Sequence, residues 1–115
     1  MIHKDCIFCK IAQKEIHVRS VYESDNFIVF PDANPKVEGH LLIIPKSHYS
    51  NIIDMPATLG QELIDVIKKV AAIQFDNGAD GFNLVQNNFP AAGQVVMHAH
   101  FHLLPRKQDD GFKFM

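Results

Sequence analysis

One stretch near the end of the chain reads Val95-Val-Met-His-Ala-His-Phe-His-Leu-Leu-Pro105. Its three histidines, His98, His100 and His102, alternate with apolar residues, and this alternation predicts a β-strand. Successive side chains of a strand point to opposite faces, so the three imidazoles are expected on one face, about 6.5–7 Å apart. Pro105 is expected to end the strand, since proline has no N–H to donate to a neighbour.

Three histidines on one strand face allow three interpretations. They can form a polar surface with satisfied hydrogen bonds. They can hold zinc, because imidazoles at alternate strand positions can ligate one ion. Alternatively, one neutral imidazole can attack phosphorus while its neighbours orient it and transfer protons. The pattern alone leaves the three interpretations open.

The composition limits the class of protein. A chain of 115 residues is expected to form a single domain, residues 1–115, and 47% hydrophobic with 21% charged residues suits a globular protein. The formal charge of -2 predicts no broad surface for nucleic acid. Apolar runs such as Leu41–Ile44 are too short to cross a bilayer, so no membrane contact is expected. The N-terminus has no signal-peptide pattern, which predicts a cytoplasmic location.

The order of the expected elements predicts an α+β domain. A short helix is expected at Asp5–Ala12, capped by Asp5, and a long helix at Pro56–Asn77, capped by Thr58 or Asp54. The expected strands are Val21–Glu23, Phe27–Phe30, Gly39–Pro45, Phe82–Asn87 and the histidine stretch. Because strands and helices do not alternate, the sheet is expected to be antiparallel with the helices on one side.

The only two cysteines, Cys6 and Cys9, form a Cys-x-x-Cys pair. Such a pair can be redox-active, metal-binding or incidental. A redox pair is expected beside a βαβ unit, which the pattern does not contain. Two thiolates supply half of a tetrahedral zinc site, so zinc would need histidines from elsewhere in the chain.

Four segments of the chain carry a resemblance to a known family. His98-Ala-His-Phe-His-Leu-Leu104 matches the His-x-His-x-His-x-x signature of the histidine triad (HIT) superfamily, x being apolar. Cys6–Ile11, Gly39–His48 and Ala92–Gln94 are similar to its nucleotide-binding branch. The resemblance implies a HIT-like fold, with an antiparallel sheet of about five strands, one long helix and one short helix. It also implies a homodimer in which the sheet continues from one subunit to the other.

The same resemblance implies an enzyme. The activity would be that of a nucleotide hydrolase or transferase acting on purine nucleoside phosphoramidates or related adenylylated compounds. It would attack the α-phosphorus and pass through a nucleotidyl-histidine intermediate. The implied catalytic residues are His100 as nucleophile, with His102, His40, Asn87 and Gln94. Two alternatives stay open, a dinucleoside polyphosphate hydrolase and a nucleotide-binding scaffold protein with weak catalysis.

The resemblance also implies two binding sites, one for the nucleotide and one for a metal. The nucleotide-binding residues would be Phe8, Ile11, Phe30, Asp32, Leu42, Gly93 and Val95, with Asp32 on the ribose hydroxyls. A structural zinc would be held by Cys6, Cys9, His48 and His98. No organic cofactor is implied.

Two positions depart from the family pattern. Val95 stands where many relatives have Ser or Thr, and its side chain cannot donate or accept a proton. The C-terminal tail has no Trp, and Phe112 and Phe114 are its only aromatic residues. Both departures concern the substrate that the site would prefer.

The long helix independently predicts an interface. Its apolar residues cover an arc of roughly 180°, whereas a helix on one sheet needs an apolar stripe of only about 100°. The excess lies at Ile64, bordered by Ile67 and Ala71, and is expected to face a second copy of the chain.

Overall fold

The computed structural model of the protein describes residues 3–113. Two helices, α1 and α2, span Ile7–Ala12 and Gly60–Asp76. The described residues form five strands, β1 Tyr22–Glu23, β2 Phe27–Pro31, β3 Leu41–Pro45, β4 Gly81–Val85 and β5 Phe101–Arg106. They form one antiparallel sheet in the order β1-β2-β3-β5-β4, which confirms the predicted fold class. None of the helices within residues 3–113 combines the length and the apolar character needed to cross a membrane.

The two helices cover opposite faces of the sheet. Helix α2 packs through Val66 and Val70 on the face that carries Phe27 and Ile43. Helix α1 belongs to the cluster on the other face, which contains Ile28. The expectation that both helices lie on one side was therefore wrong. The central strands are apolar on both faces, so each face needs its own cover.

Strand β5 begins later than the alternation predicted. It starts at Phe101, so His98 and His100 lie in the irregular segment before it and only His102 lies within it. Pro105 does not end the strand but pairs with Phe82 of β4, beyond the last residue that pairs with β3. Its missing N–H therefore removes no hydrogen bond to β3, which is why proline is tolerated there.

The helix N-termini also differ from the prediction. Cys6, not Asp5, caps α1, because its Sγ accepts a hydrogen bond from the N–H of Cys9 at 3.4 Å. Neither Thr58 nor Asp54 caps α2, which continues without a side-chain cap from a 3₁₀ turn at Ala57–Leu59. The carboxylate of Asp54 instead accepts a hydrogen bond from the N–H of Ser50.

Candidate active site

Four metal-ligating side chains from three parts of the chain meet at the N-terminus of α1. Cys6, Cys9, His48 and His98 bring one potential ligand atom each to within 4.8 Å of all the others. The Nδ1 atom of His98 lies 3.3 Å from the Sγ of Cys6 and 3.6 Å from the Sγ of Cys9. The Nδ1 atom of His48 lies 3.4 Å from the Sγ of Cys9. Two thiols and two imidazoles are the donors of a closed tetrahedral zinc site, so the residues fit this metal.

The orientation of His98 supports this fit. Its Nε2–H donates to the carbonyl oxygen of Pro45 at 2.8 Å, so the lone pair of a neutral ring lies on Nδ1, facing the thiols. Burial lowers the pKa of His98 to about 4, which keeps the ring neutral. A second hydrogen bond of this kind is the usual way in which proteins orient a histidine ligand.

His100 carries the opposite tautomer. Its Nδ1–H donates to the carbonyl oxygen of His98 at 2.7 Å, which leaves the lone pair on Nε2. The ring is buried, and the ring of Phe8 packs edge-on against it with centroids 5.2 Å apart. A neutral imidazole with a fixed tautomer and one available nitrogen has the form required of a nucleophile.

His102 is oriented through a chain of hydrogen bonds that begins at Lys36. The backbone N–H of Lys36 donates to Nδ1 of His40 at 3.0 Å, so the proton of a neutral His40 lies on Nε2. That nitrogen lies 2.9 Å from Nδ1 of His102 and donates to it, which places the remaining proton of His102 on its own Nε2. Burial lowers the pKa of His40 and lowers that of His102 to about 4, so both rings stay neutral. His102 therefore offers an N–H donor to a ligand.

A second group of potential metal ligands overlaps this chain. Asp32, His40 and His102 also bring ligand atoms within 4.8 Å of one another, with the Oδ2 of Asp32 3.3 Å from Nε2 of His40. A metal ion on that nitrogen would place the proton on Nδ1 of His40, facing the N–H of Lys36. Two donors would then face each other, so a hydrogen-bonded chain fits this group and a metal does not. Among the described residues, His98 and His102 fall in different groups of potential metal ligands, and His100 belongs to neither group.

A cavity of about 330 Å³ opens beside these histidines. Its lining includes Asp32, Lys36, His40, Asn87, His102 and Phe112. It brings together four residues that the sequence predicted for the site. Asp32 follows β2, His40 precedes β3, Asn87 lies two residues past β4, and His102 lies in β5. The predicted tail residue Phe114 lies outside the described residues.

The loop that follows β4 is fixed by the buried side chain of Gln94. The Nε2 of Gln94 donates to the carbonyl oxygens of Ser50 at 2.6 Å and Val96 at 3.0 Å. Its Oε1 accepts from the N–H of Phe89 at 2.7 Å, and Phe89 has a φ of 73°. All hydrogen-bonding positions of the amide except one lone pair of its oxygen are thus occupied, by the loop itself and by Ser50 of the segment after β3. Gln94 holds the loop in shape, and the predicted role near a leaving group stays a prediction.

The other predicted residues of this loop, Gly93 and Val95, have no polar side chain. Gly93 has a φ of 92°, a left-handed conformation that glycine adopts without steric cost, and a Cβ there would lie 3.8 Å from the Nδ2 of Asn87. The side chain of Val95 is 87% exposed. The backbone of the loop therefore passes close to Asn87, one of the residues that line the cavity.

Comparison with known proteins identifies the family. Residues 13–109 match the family model of the HIT domain. The chain belongs to the HIT family. It is 43% identical over 106 residues to an uncharacterized HIT-like protein of Methanocaldococcus jannaschii, covering 92% of this chain and 82% of that one.

Two relatives of this HIT protein carry the names of activities. One is "Adenylylsulfatase HINT3" of Arabidopsis thaliana, 40% identical over 110 residues, covering 95% of this chain and 56% of that one. The other is "Adenosine 5'-monophosphoramidase HNT1" of Candida albicans, 38% identical over 112 residues, covering 93% of this chain and 74% of that one.

Solved structures show the same fold. A protein of Streptococcus mutans superposes with a TM-score of 0.90 at 41% identity, covering 98% of this chain and 73% of that one. A Mycobacterium smegmatis protein described as a Zn-bound histidine triad family protein superposes with a TM-score of 0.89 at 33% identity, covering 95% of this chain and 80% of that one.

The predicted base-binding residues of this HIT protein form part of its core. Phe8, Ile11, Phe30 and Leu42 lie together with Ile28 and Ile44 on the α1 face of the sheet, and they are 4–7% exposed. The ring of Phe8 also packs edge-on against the rings of His98 and His100. Leu42 pairs with His102 across β3 and β5. Sequence reasoning missed the groups that set the tautomers, namely the carbonyl oxygens of Pro45 and His98 and the N–H of Lys36. Backbone groups have no sequence signal, so the motifs could not have found them.

Proposed function

We propose that this HIT protein is a nucleotide hydrolase that acts on purine nucleoside phosphoramidates or related adenylylated compounds. The observation that carries the proposal is the hydrogen bond from Nδ1–H of His100 to the carbonyl of His98, which leaves Nε2 available for attack. The names of two relatives, an adenosine 5'-monophosphoramidase and an adenylylsulfatase, support an adenylyl group as the unit transferred.

In the first step, the lone pair of His100 Nε2 forms a bond to the α-phosphorus. The bond from phosphorus to the leaving group breaks, and its electron pair departs with that group, which takes up a proton from solvent when it is an amine. The imidazole now carries a positive charge, which the carbonyl oxygen of His98 stabilises through the Nδ1–H bond. The Nε2–H of His102 and the amide of Asn87 donate to the phosphoryl oxygens, where negative charge grows.

In the second step, water replaces the histidine. An oxygen lone pair of water forms the new bond to phosphorus, and the N–P bond breaks with its electron pair returning to Nε2 of His100. The proton lost by water passes to solvent, and the mononucleotide leaves. His100 is then neutral again, with its proton still on Nδ1.

The nucleoside is held on the α1 side of the site. Asp32 accepts hydrogen bonds from the ribose hydroxyls, a task that suits a carboxylate, which has no proton to donate. The purine contacts the edges of Phe8, Ile11, Phe30 and Leu42. The backbone N–H of Val95 binds a phosphate oxygen, whereas those of Gly93 and Gln94 donate to the carbonyl oxygens of Pro90 and Phe89 within the loop. The side chain of Gln94 keeps that loop in place.

We also propose that Cys6, Cys9, His48 and His98 hold a structural zinc. The four donors lie within 4.8 Å of one another, and the relative from Mycobacterium smegmatis is described as Zn-bound. Zinc would supply a cross-link and no reaction step, because a closed set of four protein ligands leaves no position for substrate. Both cysteines are free thiols, and such a site suits the reducing cytoplasm that we propose as the location.

Turnover of two substrate types tests the proposed function. The protein is expected to release AMP from adenosine 5'-phosphoramidate, and more slowly from a diadenosine polyphosphate. Rapid acid quenching followed by mass spectrometry should reveal a protein species heavier by one adenylyl group. Binding of AMP without turnover of either substrate would contradict the proposal and favour a nucleotide-binding scaffold.

We further propose a homodimer formed through α2 and β4. Ile64 and Phe75 of α2 are 54% and 47% exposed, and Phe82 and Leu84 of β4 are 38% and 44% exposed. Phe75 and Phe82 touch, with ring centroids 6.2 Å apart, so the exposed apolar residues of the two elements adjoin. Strand β4 is an edge of the described sheet, and pairing with its own copy would continue the sheet. Ala71, predicted at the border of the interface, is instead buried in the core.

Replacing Ile64 by Glu is expected to favour monomers. At a two-fold interface the substituted residue approaches its own copy, so two carboxylates would be desolvated together and would repel each other. Light scattering at micromolar concentration should give twice the chain mass for the wild type and about one chain mass for Ile64→Glu. Gln61→Glu, at an exposed position of the same helix, is the charge-matched control and should stay dimeric. A wild-type mass of one chain would contradict the dimer.

A further inference from the structure

The two histidines of the proposed zinc site are oriented in different ways. His98 is fixed by the hydrogen bond from its Nε2–H to the carbonyl oxygen of Pro45, at 2.8 Å. The Nδ1 of His48 lies 3.4 Å from the Sγ of Cys9, but within residues 3–113 no hydrogen-bond partner is found for its Nε2. A histidine ligand usually has a second contact that fixes the direction of its metal-binding nitrogen. For His48 that contact must be of another kind.

The ring of His3 supplies this contact. It lies flat against the ring of His48, with the two ring centroids 3.7 Å apart and the two planes only 11° from parallel. The ring of His98 meets His48 edge-on, with centroids 5.0 Å apart. Because His3 covers one face of the His48 ring, that ring cannot turn about its side-chain bonds without losing the stacked contact.

The backbone of His3 is tied to the same cluster. Its N–H donates to the Sγ of Cys9 at 3.4 Å, and its carbonyl oxygen accepts from the N–H of Cys6 at 3.1 Å. His3 therefore contacts three of the four proposed ligand residues, two through its backbone and His48 through its ring. The bond to sulfur becomes charge-assisted when Cys9 is a thiolate, the form that binds zinc. Metal binding would thus strengthen the contact that places the His3 ring.

We propose that His3 is a positioning residue of the zinc site, whose stacked ring holds His48 in the orientation that keeps Nδ1 on the metal. The inference rests on the zinc site proposed above and adds to it a residue that is not a ligand. Release of the metal requires His48 to turn away from it, and the stack with His3 opposes that rotation. The side chain of His3 is exposed, so its removal leaves no cavity in the core.

The experiment measures the release of zinc and not hydrolysis. The zinc-loaded wild type, His3→Ala, His3→Phe and His17→Ala are each mixed with an excess of the chelator 4-(2-pyridylazo)resorcinol, and the rate at which its coloured zinc complex forms is recorded. His3→Ala should release zinc about tenfold faster than the wild type, a usual effect of removing the contact behind a ligand. His3→Phe keeps a ring that can stack but has no nitrogen, and its rate should stay within about threefold of the wild type. His17→Ala removes an exposed histidine outside the cluster and should match the wild type.

The cobalt form of the protein distinguishes positioning from ligation. The visible absorption bands of bound Co²⁺ depend on the donor atoms and their geometry, so His3→Ala should keep the bands of the wild type. Altered bands would mean that His3 is itself a ligand, and the inference would fail. It would also fail if His3→Ala released zinc at the wild-type rate, or if His3→Phe released it as fast as His3→Ala, because the ring face would then play no part. In these cases the zinc site stands, whereas a wild type that holds no zinc overturns the zinc site and the inference together.

Discussion

Replacing His100 by alanine is expected to lower hydrolysis by on the order of 10³-fold or more, because the variant has no nitrogen to form the bond to phosphorus. Mononucleotide binding should change only a few-fold. The proposed phosphate donors, on His102 and Asn87, line the cavity without the ring of His100. The measurements are steady-state turnover and calorimetric titration with AMP, with thermal unfolding as the check that the variant is folded.

His102→Ala is the informative comparison for this experiment. It removes one hydrogen-bond donor and leaves the nucleophile with its partner, the carbonyl oxygen of His98, so its loss of turnover should be smaller. No adenylyl group should accumulate on His100→Ala under acid quench, whereas His102→Ala should still form the adduct. Turnover near the wild-type rate in His100→Ala would show that the bond to phosphorus forms elsewhere.

Loss of metal is expected to have the second large effect, on stability. Helix α1 has six residues, too few to persist alone, and the Cys6–Cys9 pair at its start would be joined through the metal to His48 and His98. Chelation, or the double substitution of both cysteines by serine, should lower Tm by about 10 °C or more, equivalent to the loss of about 2 kcal/mol in a domain of this size.

Elemental analysis of protein purified without chelator measures the occupancy directly. One zinc per chain is expected in the wild type and much less in Cys6→Ser. His17→Ala is a matched control, because His17 is an exposed histidine outside the cluster, and it should change neither metal content nor Tm. Clearly substoichiometric zinc together with an unchanged Tm in Cys6→Ser would mean that the two thiols have no ligand role.

The sequence predicts the parts of this structure that depend on side-chain type. The apolar run at Leu41–Pro45 predicted a strand buried on both faces, and the structure buries all five residues. The resemblance to the HIT family implied that His48 and His98 join the Cys-x-x-Cys pair, and the fold does bring these four side chains together. The strand follows from residue identity and spacing, whereas the partners of the cysteines followed from the resemblance.

The features that sequence could not supply depend on the path of the backbone. His98 and His100 are both histidines two residues apart, yet one donates through Nε2 to Pro45 and the other through Nδ1 to His98. Every residue has a backbone carbonyl oxygen, so the residue type does not reveal which carbonyl will accept the hydrogen bond from a histidine ring. The late start of β5 has a similar origin. Alternation continues through His98 and His100, but only the residues from Phe101 onward find a partner strand.

The left-handed conformation of Phe89 has an energetic consequence for the loop beside the phosphate site. A bulky residue at a φ of 73° costs of order 1–3 kcal/mol, and the surrounding structure must hold it there. The hydrogen bond from its N–H to Gln94, together with the two bonds that anchor that amide, supplies this restraint. The loop is thus held in this shape by the protein's own hydrogen bonds. For the proposed nucleotide site, the entropy of fixing the loop is therefore lost on folding and not on binding, which favours affinity for the phosphate.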